Sequence, residues 1–396
     1  MKKIVVVICF ILFFSGCDNK SNNKTEPINP TIEEQITIQI NNMSIEEKVA
    51  QMFVVSYRKE DYDSTLDSML RTYKPGGFIL FGENMSTYEK TLDFIKNIKK
   101  TSSIPYFIGI DEEGGSVQRL LSLRDVEATN FPFMLRLGNM NDISLVKETA
   151  GAMASELKVF GINTDFAPCL DIFSNSKNTT IGYRAFGRDA LSVIKYGITF
   201  GQSLEENDII PVYKHFPGHG DSLTDSHNGV VVSYKNLDEL KRVELLPFIR
   251  AAQEEVPMIM VSHISYPNIT LNNEPTSLSK IMINDILRTD LGYKGIIITD
   301  AVNMAALSNY YTPTQIYEKA INAGVDIILM PNDLGKAIED IKLLIKDNII
   351  SEERIDLSVK KILLLKRQKI INNYDKYEDV SHLGSIEHKN IINKIK

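Results

Sequence analysis

The stretch Ile209-Ile210-Pro211-Val212-Tyr213-Lys214-His215-Phe216-Pro217-Gly218-His219-Gly220-Asp221-Ser222-Leu223-Thr224-Asp225-Ser226-His227 decides how the chain is read. Its first five residues are apolar apart from a tyrosine hydroxyl, as in a strand covered on both faces. Its remainder holds three of the six histidines of the chain, two carboxylates, a lysine and two glycines. A buried strand that empties into a polar, glycine-punctuated loop is how a rigid scaffold presents chemistry. The glycines at 218 and 220 read as hinges that let the far end of the loop move.

Working outward, seven more short apolar runs have the same character: Met52–Tyr57, Gly77–Phe81, Tyr106–Ile110, Thr164–Ala167, Met258–Ser262, Gly295–Thr299 and Asp326–Met330. Together with Ile210–Tyr213 they make eight, nearly all apolar rather than alternating, as parallel strands are. Amphipathic segments separate them. Ser44-Ile45-Glu46-Glu47 is a capping box. Thr87–Lys99, Ser144–Phe160, Ala190–Glu206, Leu237–Gln253, Leu278–Leu291, Thr314–Ala323, Leu334–Lys346 and Glu352–Arg367 carry helical spacing, and Gly161, Gly292 and Gly324 sit where helices stop. Eight strands alternating with helices predict an α/β fold, a (β/α)8 TIM barrel forming a single catalytic domain over residues 37–372. No Gly-x-Gly-x-x-Gly turn follows the first strand, and too little chain follows the last one for a second full domain. Residues 373–396 read as a charged tail that frays.

A barrel concentrates function at the C-terminal ends of its strands. Polar residues interrupt the apolar pattern there: Asp111 after the third strand, Asp165 and Asp171 in and after the fourth, Lys214 and His215 after the fifth, His263 after the sixth and Asp300 after the seventh. Asp300 reads either as a carboxylate nucleophile at the barrel mouth or as a cap for a helix starting near Ala301, and spacing leaves both open. Asp111 and Arg119 alone are as well explained by a surface ion pair. His215, His219 and His227 leave a metal site open, although no cysteine accompanies them in sequence. Asp165 and Asp171 read as buried carboxylates bonding backbone amides, Cys169 as a packed core thiol. His263 is balanced between a satisfied rim histidine and a supporting role at the site. His382 and His388, in the tail, call for no function.

The N-terminus is a targeting segment. Lys2 and Lys3 precede an apolar run from Ile4 to Phe14, too short to span a bilayer, which needs about 20 residues. Ser15-Gly16-Cys17 resembles a bacterial lipoprotein signal, with residues 1–16 removed and Cys17 carrying the lipid. The resemblance implies multiple acylation, which a stable membrane tether requires. Residues 17–36, polar at first and rich in Asn, Lys, Ser and Pro, read as a disordered tether. The expected location is the bacterial cell envelope, extracytoplasmic and lipid-anchored. With Cys9 in the signal and Cys17 lipidated, Cys169 has no disulfide partner. A net charge of −7 with interspersed signs argues against nucleic acid as a partner, and no protein partner is implied.

Several of these segments resemble NagZ-type β-N-acetylhexosaminidases of glycoside hydrolase family 3. The Lys214–His227 stretch is similar to the signature loop of that group. Arg288-Thr289-Asp290-Leu291-Gly292-Tyr293-Lys294-Gly295 through Asp300 resembles the segment whose terminal aspartate is the nucleophile. Asp111-Glu112-Glu113-Gly114-Gly115-Ser116-Val117-Gln118-Arg119 and Ile181-Gly182-Tyr183-Arg184-Ala185-Phe186-Gly187 resemble two sugar-binding loops. The resemblance implies Asp300 as nucleophile, His227 backed by Asp225 as acid and base, and Asp111, Arg119, Arg184, Lys214 and His215 as sugar-binding residues. It implies a carbohydrate partner, a terminal β-linked N-acetylglucosamine taken from peptidoglycan fragments or another amino-sugar glycan, and no metal or organic cofactor. A histidine suits the proton role because its ordinary pKa of about 6.5 lets it donate and accept near neutrality. A family 3 β-glucosidase, a glycoside phosphorylase and a non-catalytic sugar-binding lipoprotein are the alternatives.

Overall fold

The computed structural model describes residues 30–220 and 231–395. Among them all eight expected strands form: β1 (Phe53–Val55), β2 (Gly77–Leu80), β3 (Phe107–Ile110), β4 (Thr164–Asp165), β5 (Ile210–Phe216), β6 (Met258–Val261), β7 (Ile296–Thr299) and β8 (Ile328–Leu329). Each pairs in parallel with its sequence neighbour from β1 through β7, and β8 returns to β1 in the register Phe53↔Ile328 and Val54↔Leu329. A parallel bridge between Ile298 and Ile327 joins β7 to β8, and the cylinder closes. Every residue of these strands is buried, which explains why they read as continuous apolar runs. The expected (β/α)8 barrel is the fold.

The helices form where apolar spacing and caps coincide. Ser44 Oγ accepts the Glu47 amide at 3.2 Å while Glu47 Oε2 accepts the Ser44 amide at 3.0 Å, opening Ile45–Gln51. Gly324 closes the helix Pro313–Ala323 at φ +113°, which a residue with a Cβ rarely adopts. The segment 237–253, expected as one helix, is two, Leu237–Arg242 and Leu246–Gln253. Pro247 has no amide proton to continue the first helix and suits the first turn of the second.

Both chain ends differ from expectation. The stretch 17–36 was expected to be a tether throughout, yet a helix over Ile32–Asn41 begins inside it, opened by a Thr31–Glu34 capping box. Ile36 and Ile40 are buried in the main core, each stabilising by roughly 1.5–3 kcal/mol as an upper bound. The residues 373–395 do not fray. Tyr374 Oη accepts the Tyr106 amide at 3.0 Å, and the helix Ile386–Asn393 docks on Ile143–Val159. There the buried Glu156 carboxylate accepts His388 Nδ1 at 2.9 Å and the Gly384 amide at 3.0 Å. His388, which called for no function in the sequence, fastens this segment to the barrel. Among the described residues no helix is long and apolar enough to cross a membrane.

Candidate active site

A cavity of about 310 Å3 opens at the C-terminal ends of the strands. Asp111, Arg119, Arg184, Lys214, His215 and Asp300 all line it, as do Glu113 and His219. Phe166, Met260, Met304 and Leu329 supply its apolar surface. Polar residues from four strand ends that are far apart in sequence, those of β3, β4, β5 and β7, thus meet at one mouth, as the barrel places them. His227, Asp225 and Cys17 lie outside the described residues.

Asp300 follows β7 directly, with its amide held by Val261 O at 3.0 Å. Its Oδ1 accepts the Ala301 amide at 2.7 Å. The next helix starts only at Ala305 and is capped by Met304, so Asp300 caps no helix. Burial works to raise its carboxyl pKa, but His263, His215, the Ala301 amide and Lys214 outweigh burial and hold it below the ordinary range. The carboxylate is therefore ionised across the neutral range and faces the cavity, as a nucleophile must.

His263 lies beneath it, fully buried, with Nδ1 against Ser277 Oγ at 2.7 Å and Nε2 against Ala301 O at 3.1 Å. It does not line the cavity. Through Nε2 it holds the carbonyl of the residue next to Asp300.

Four of the five sugar-binding candidates, Asp111, Arg119, Arg184 and Lys214, join one ionic network through Glu113. Lys214 Nζ lies 2.9 Å from Asp111 Oδ1 and 2.5 Å from Glu113 Oε1. Arg184 clasps Glu113 through Nε and Nη2, each at 2.7 Å. Arg119 Nη2 approaches Asp111 Oδ2 at 3.5 Å. Burial would raise the Glu113 pKa, but the adjacent Arg184 and Lys214 drive it well below the carboxylate range. Burial likewise disfavours the Lys214 ammonium, yet Asp111 and Glu113 push its pKa up. Glu113 is the residue the sequence reading missed. It is fully paired at the cavity wall, and it sets where Arg184 and Lys214 present their donors. The signal was available: two adjacent acids, Glu112-Glu113, between an apolar strand and Gly114-Gly115.

A second layer holds the loops. Glu112 Oε2 accepts the amides of Arg119 at 2.7 Å and Leu120 at 3.1 Å, which seats Arg119. Burial pushes Glu112 up to about 8 despite those amides. Asp165 Oδ1 accepts the Glu112 amide at 2.9 Å. Asp171 accepts the His219 amide at 2.6 Å and His215 Nδ1 at 2.7 Å. Both aspartates bond backbone amides, as expected from the sequence. Burial would raise Asp171, but His215 and His219 bring it down to about 2. With Nδ1 engaged, the His215 ring is fixed in orientation. His219 also faces the cavity, and burial lowers its pKa against the pull of Asp171.

Cys169, expected to be merely packed, donates its thiol to Asp171 Oδ2 at 3.2 Å. The cysteine absent from the histidine cluster in sequence is therefore beside it in space. Cys169, Asp171 and His215 bring ligand-type atoms within 4.8 Å of one another. Burial pushes the Cys169 thiol well above its ordinary pKa, so without a metal it keeps the proton it donates to Asp171.

Packing also accounts for the two loop glycines. A side chain at Gly220 would fall 1.6 Å from Ile172 O, and one at Gly218, which has φ +130°, would meet Glu244 Cβ at 2.7 Å. Gly218 O also accepts the Tyr266 hydroxyl at 3.1 Å. Glycine is needed here because backbone presses on neighbouring loops.

Comparison with known proteins agrees with the fold. Residues 44–365 match the family model described as "Glycosyl hydrolase family 3 N terminal domain", and the chain belongs to glycosyl hydrolase family 3. It is 32% identical over 330 residues to a beta-hexosaminidase A of Pseudoalteromonas piscicida, an alignment covering 76% of this chain and 54% of that one. It therefore spans about half the length of that relative. It is 29% identical to the beta-hexosaminidase LpqI of Mycobacterium tuberculosis over 82% of this chain and 83% of the relative. Among solved structures, it is similar to a glycoside hydrolase family 3 beta-N-acetylglucosaminidase from Paenibacillus sp. str. FPU-7, with a TM-score of 0.83 and 30% identity over 89% of this chain and 68% of the other.

Proposed function

We propose that the protein is an exo-acting, retaining β-N-acetylhexosaminidase that removes terminal β-linked N-acetylglucosamine. The observation that carries this reading is the ionised Asp300 carboxylate facing a cavity walled by Asp111, Arg119, Arg184, Lys214 and His215. Charged donors and acceptors fixed in direction suit a ring of sugar hydroxyls, and the apolar lining residues suit its C–H faces. Relatives named beta-hexosaminidase support the substrate class.

In the first step an Asp300 oxygen bonds to the anomeric carbon while the bond from that carbon to the leaving oxygen breaks, and His227 gives that oxygen its proton. Asp225 orients the imidazole and favours its protonated form. In the second step His227 takes a proton from water as the water oxygen attacks the anomeric carbon and the Asp300 ester bond breaks. Two inversions retain the β configuration. We further propose that Cys17 carries a lipid anchor, that the enzyme is held at the membrane of the bacterial cell envelope on its extracytoplasmic side, and that its substrates are peptidoglycan-derived or other amino-sugar fragments.

A panel of aryl β-glycosides of N-acetylglucosamine, glucose and xylose, each with and without inorganic phosphate, tests the activity. Preference for the N-acetylglucosaminide with free sugar as product is expected. Preference for the glucoside, or a glycosyl phosphate product, would overturn the assignment in favour of a β-glucosidase or a phosphorylase.

A further inference from the structure

Glu112 and Glu113 are neighbours in sequence and both are buried, yet they keep different company. Glu113 meets the side chains of Arg184 and Lys214 at hydrogen-bond distance. Glu112 has no such cation among the described residues. Its Oε2 is filled by the Arg119 and Leu120 amides, and its Oε1 is buried with no hydrogen-bond partner among those residues. Asp165, which holds the Glu112 amide through Oδ1, likewise has its Oδ2 buried and unpartnered among them. The charges that face the two groups do not relieve this. Glu156, on the helix Ile143–Val159, is another buried carboxylate and repels a charge on Glu112. It is itself occupied by the Thr129 and Gly384 amides and by His388 Nδ1. Asp111 repels a charge on Asp165. The two nearby cations are engaged elsewhere, Arg119 toward Asp111 and Lys214 with Asp111 and Glu113.

A buried carboxylate with a bare oxygen and no cation of its own is a costly state, and a carboxyl group so placed keeps its proton. Burial accordingly raises both groups, Glu112 to about 8. The consequence falls on Arg119. Its side chain lines the cavity, and its approach to Asp111, at 3.5 Å, is long. A negative charge on Glu112 would compete for that guanidinium. We propose that Glu112 is a positioning residue that works as a neutral carboxylic acid: Oε2 seats the Arg119 and Leu120 amides, Oε1 carries a proton, and the Arg119 guanidinium is left to the sugar. Loss of that proton above neutral pH draws the guanidinium inward and weakens sugar binding. This rests on the reading of the cavity as the site for the terminal N-acetylglucosamine.

Two measurements on the full chain test this. The first follows the competitive inhibition constant of free N-acetylglucosamine from about pH 6.5 to about pH 9. Where only the protonated form binds well, the constant rises about tenfold at one pH unit above the Glu112 value. Glu112→Gln keeps an acceptor for the two amides and cannot ionise, so that rise is expected to disappear. The second reads the proton itself by infrared difference spectroscopy between the same pH values. The parent is expected to lose a protonated-carboxyl band and gain a carboxylate band, and the change is expected to be absent in Glu112→Gln. A constant that stays level in the parent, or rises equally in both proteins, overturns the positioning role. Infrared spectra of the parent without the band change overturn the neutral acid, and this outcome is read even if the variant does not fold. Absence of binding and turnover in the parent, with the band change intact, contradicts the activity, and the positioning role falls with it.

Discussion

Two buried carboxylates in this barrel have nearly the same company and opposite purposes. Glu113, at the catalytic mouth, is clasped by Arg184 and Lys214. Asp326, just before β8 at the other end of the barrel, is paired with Arg288 and Lys361. Asp326 also accepts the Ile297 amide at 3.0 Å and the Ser358 hydroxyl at 2.7 Å. Its partner Arg288 donates to the carbonyls of Tyr293 and Gly295, and Arg354 closes over Ile321 O and Val325 O. These bonds tie strand bottoms and helices to one another. The cations around Glu113 instead line an open cavity. Burial and pairing alone therefore do not mark a functional site. What separates the two networks is which end of the strands they occupy and whether their cations line the cavity that also holds Asp300.

The largest effect expected from this contrast is on chemistry. Asp300→Asn should lower kcat for an aryl β-N-acetylglucosaminide by at least about 10³-fold, as loss of a nucleophile does, with little change in melting temperature. Near-parent turnover in that variant would remove Asp300 from its role.

At the other end, Asp326→Asn should cost roughly 3–5 kcal/mol of stability, the usual result of leaving buried cations unpaired, while kcat/KM of the folded fraction holds. Burial opposes the Asp326 charge, but Arg288, Lys361 and Arg354 outweigh it and its pKa is lowered. Its contribution is therefore complete above about pH 4, the ordinary aspartate pKa, and is lost as pH falls through the folded-state value. Denaturant titrations should show the gap between parent and variant closing on acidification. A gap independent of pH would contradict the ion-pair account.

Glu113→Gln sharpens the comparison from the other side. It should raise KM roughly tenfold or more, because Arg184 and Lys214 lose their common anchor, with a smaller change in kcat. A loss confined to stability would make Glu113 a second Asp326.

The smallest effect is a shift in pH profile. Lys214 helps hold Asp300 below the usual carboxylate range. Removing that charge in Lys214→Met raises the Asp300 pKa, so the acid limb of kcat/KM should move to higher pH. An unmoved limb would separate Lys214 from Asp300 electrostatically.

The barrel was legible because its strands are buried on both faces, which writes them as uninterrupted apolar runs. The end-of-strand rule then singled out Asp111, Lys214, His215 and Asp300, and all four line one cavity. Contacts made across sequence were not legible. Nothing local told that Glu113 would bridge Arg184 and Lys214, that Cys169 would donate to Asp171, or that Glu156 would hold the segment around His388. The 373–395 region looked unstructured because its few apolar residues suffice only against a preformed barrel surface. At Gly218 and Gly220 sequence shows the missing side chain but not the neighbouring loops pressed against it.

The central claim is that Asp300 becomes covalently bonded to the sugar, and peptide mapping tests it most directly. A 5-fluoro-β-N-acetylglucosaminyl fluoride slows breakdown of the glycosyl-enzyme, so the intermediate accumulates. The account predicts one added sugar mass per chain, carried by the peptide containing Asp300 and absent in Asp300→Asn. A label on another carboxylate, or turnover with inverted product and no label, would contradict it.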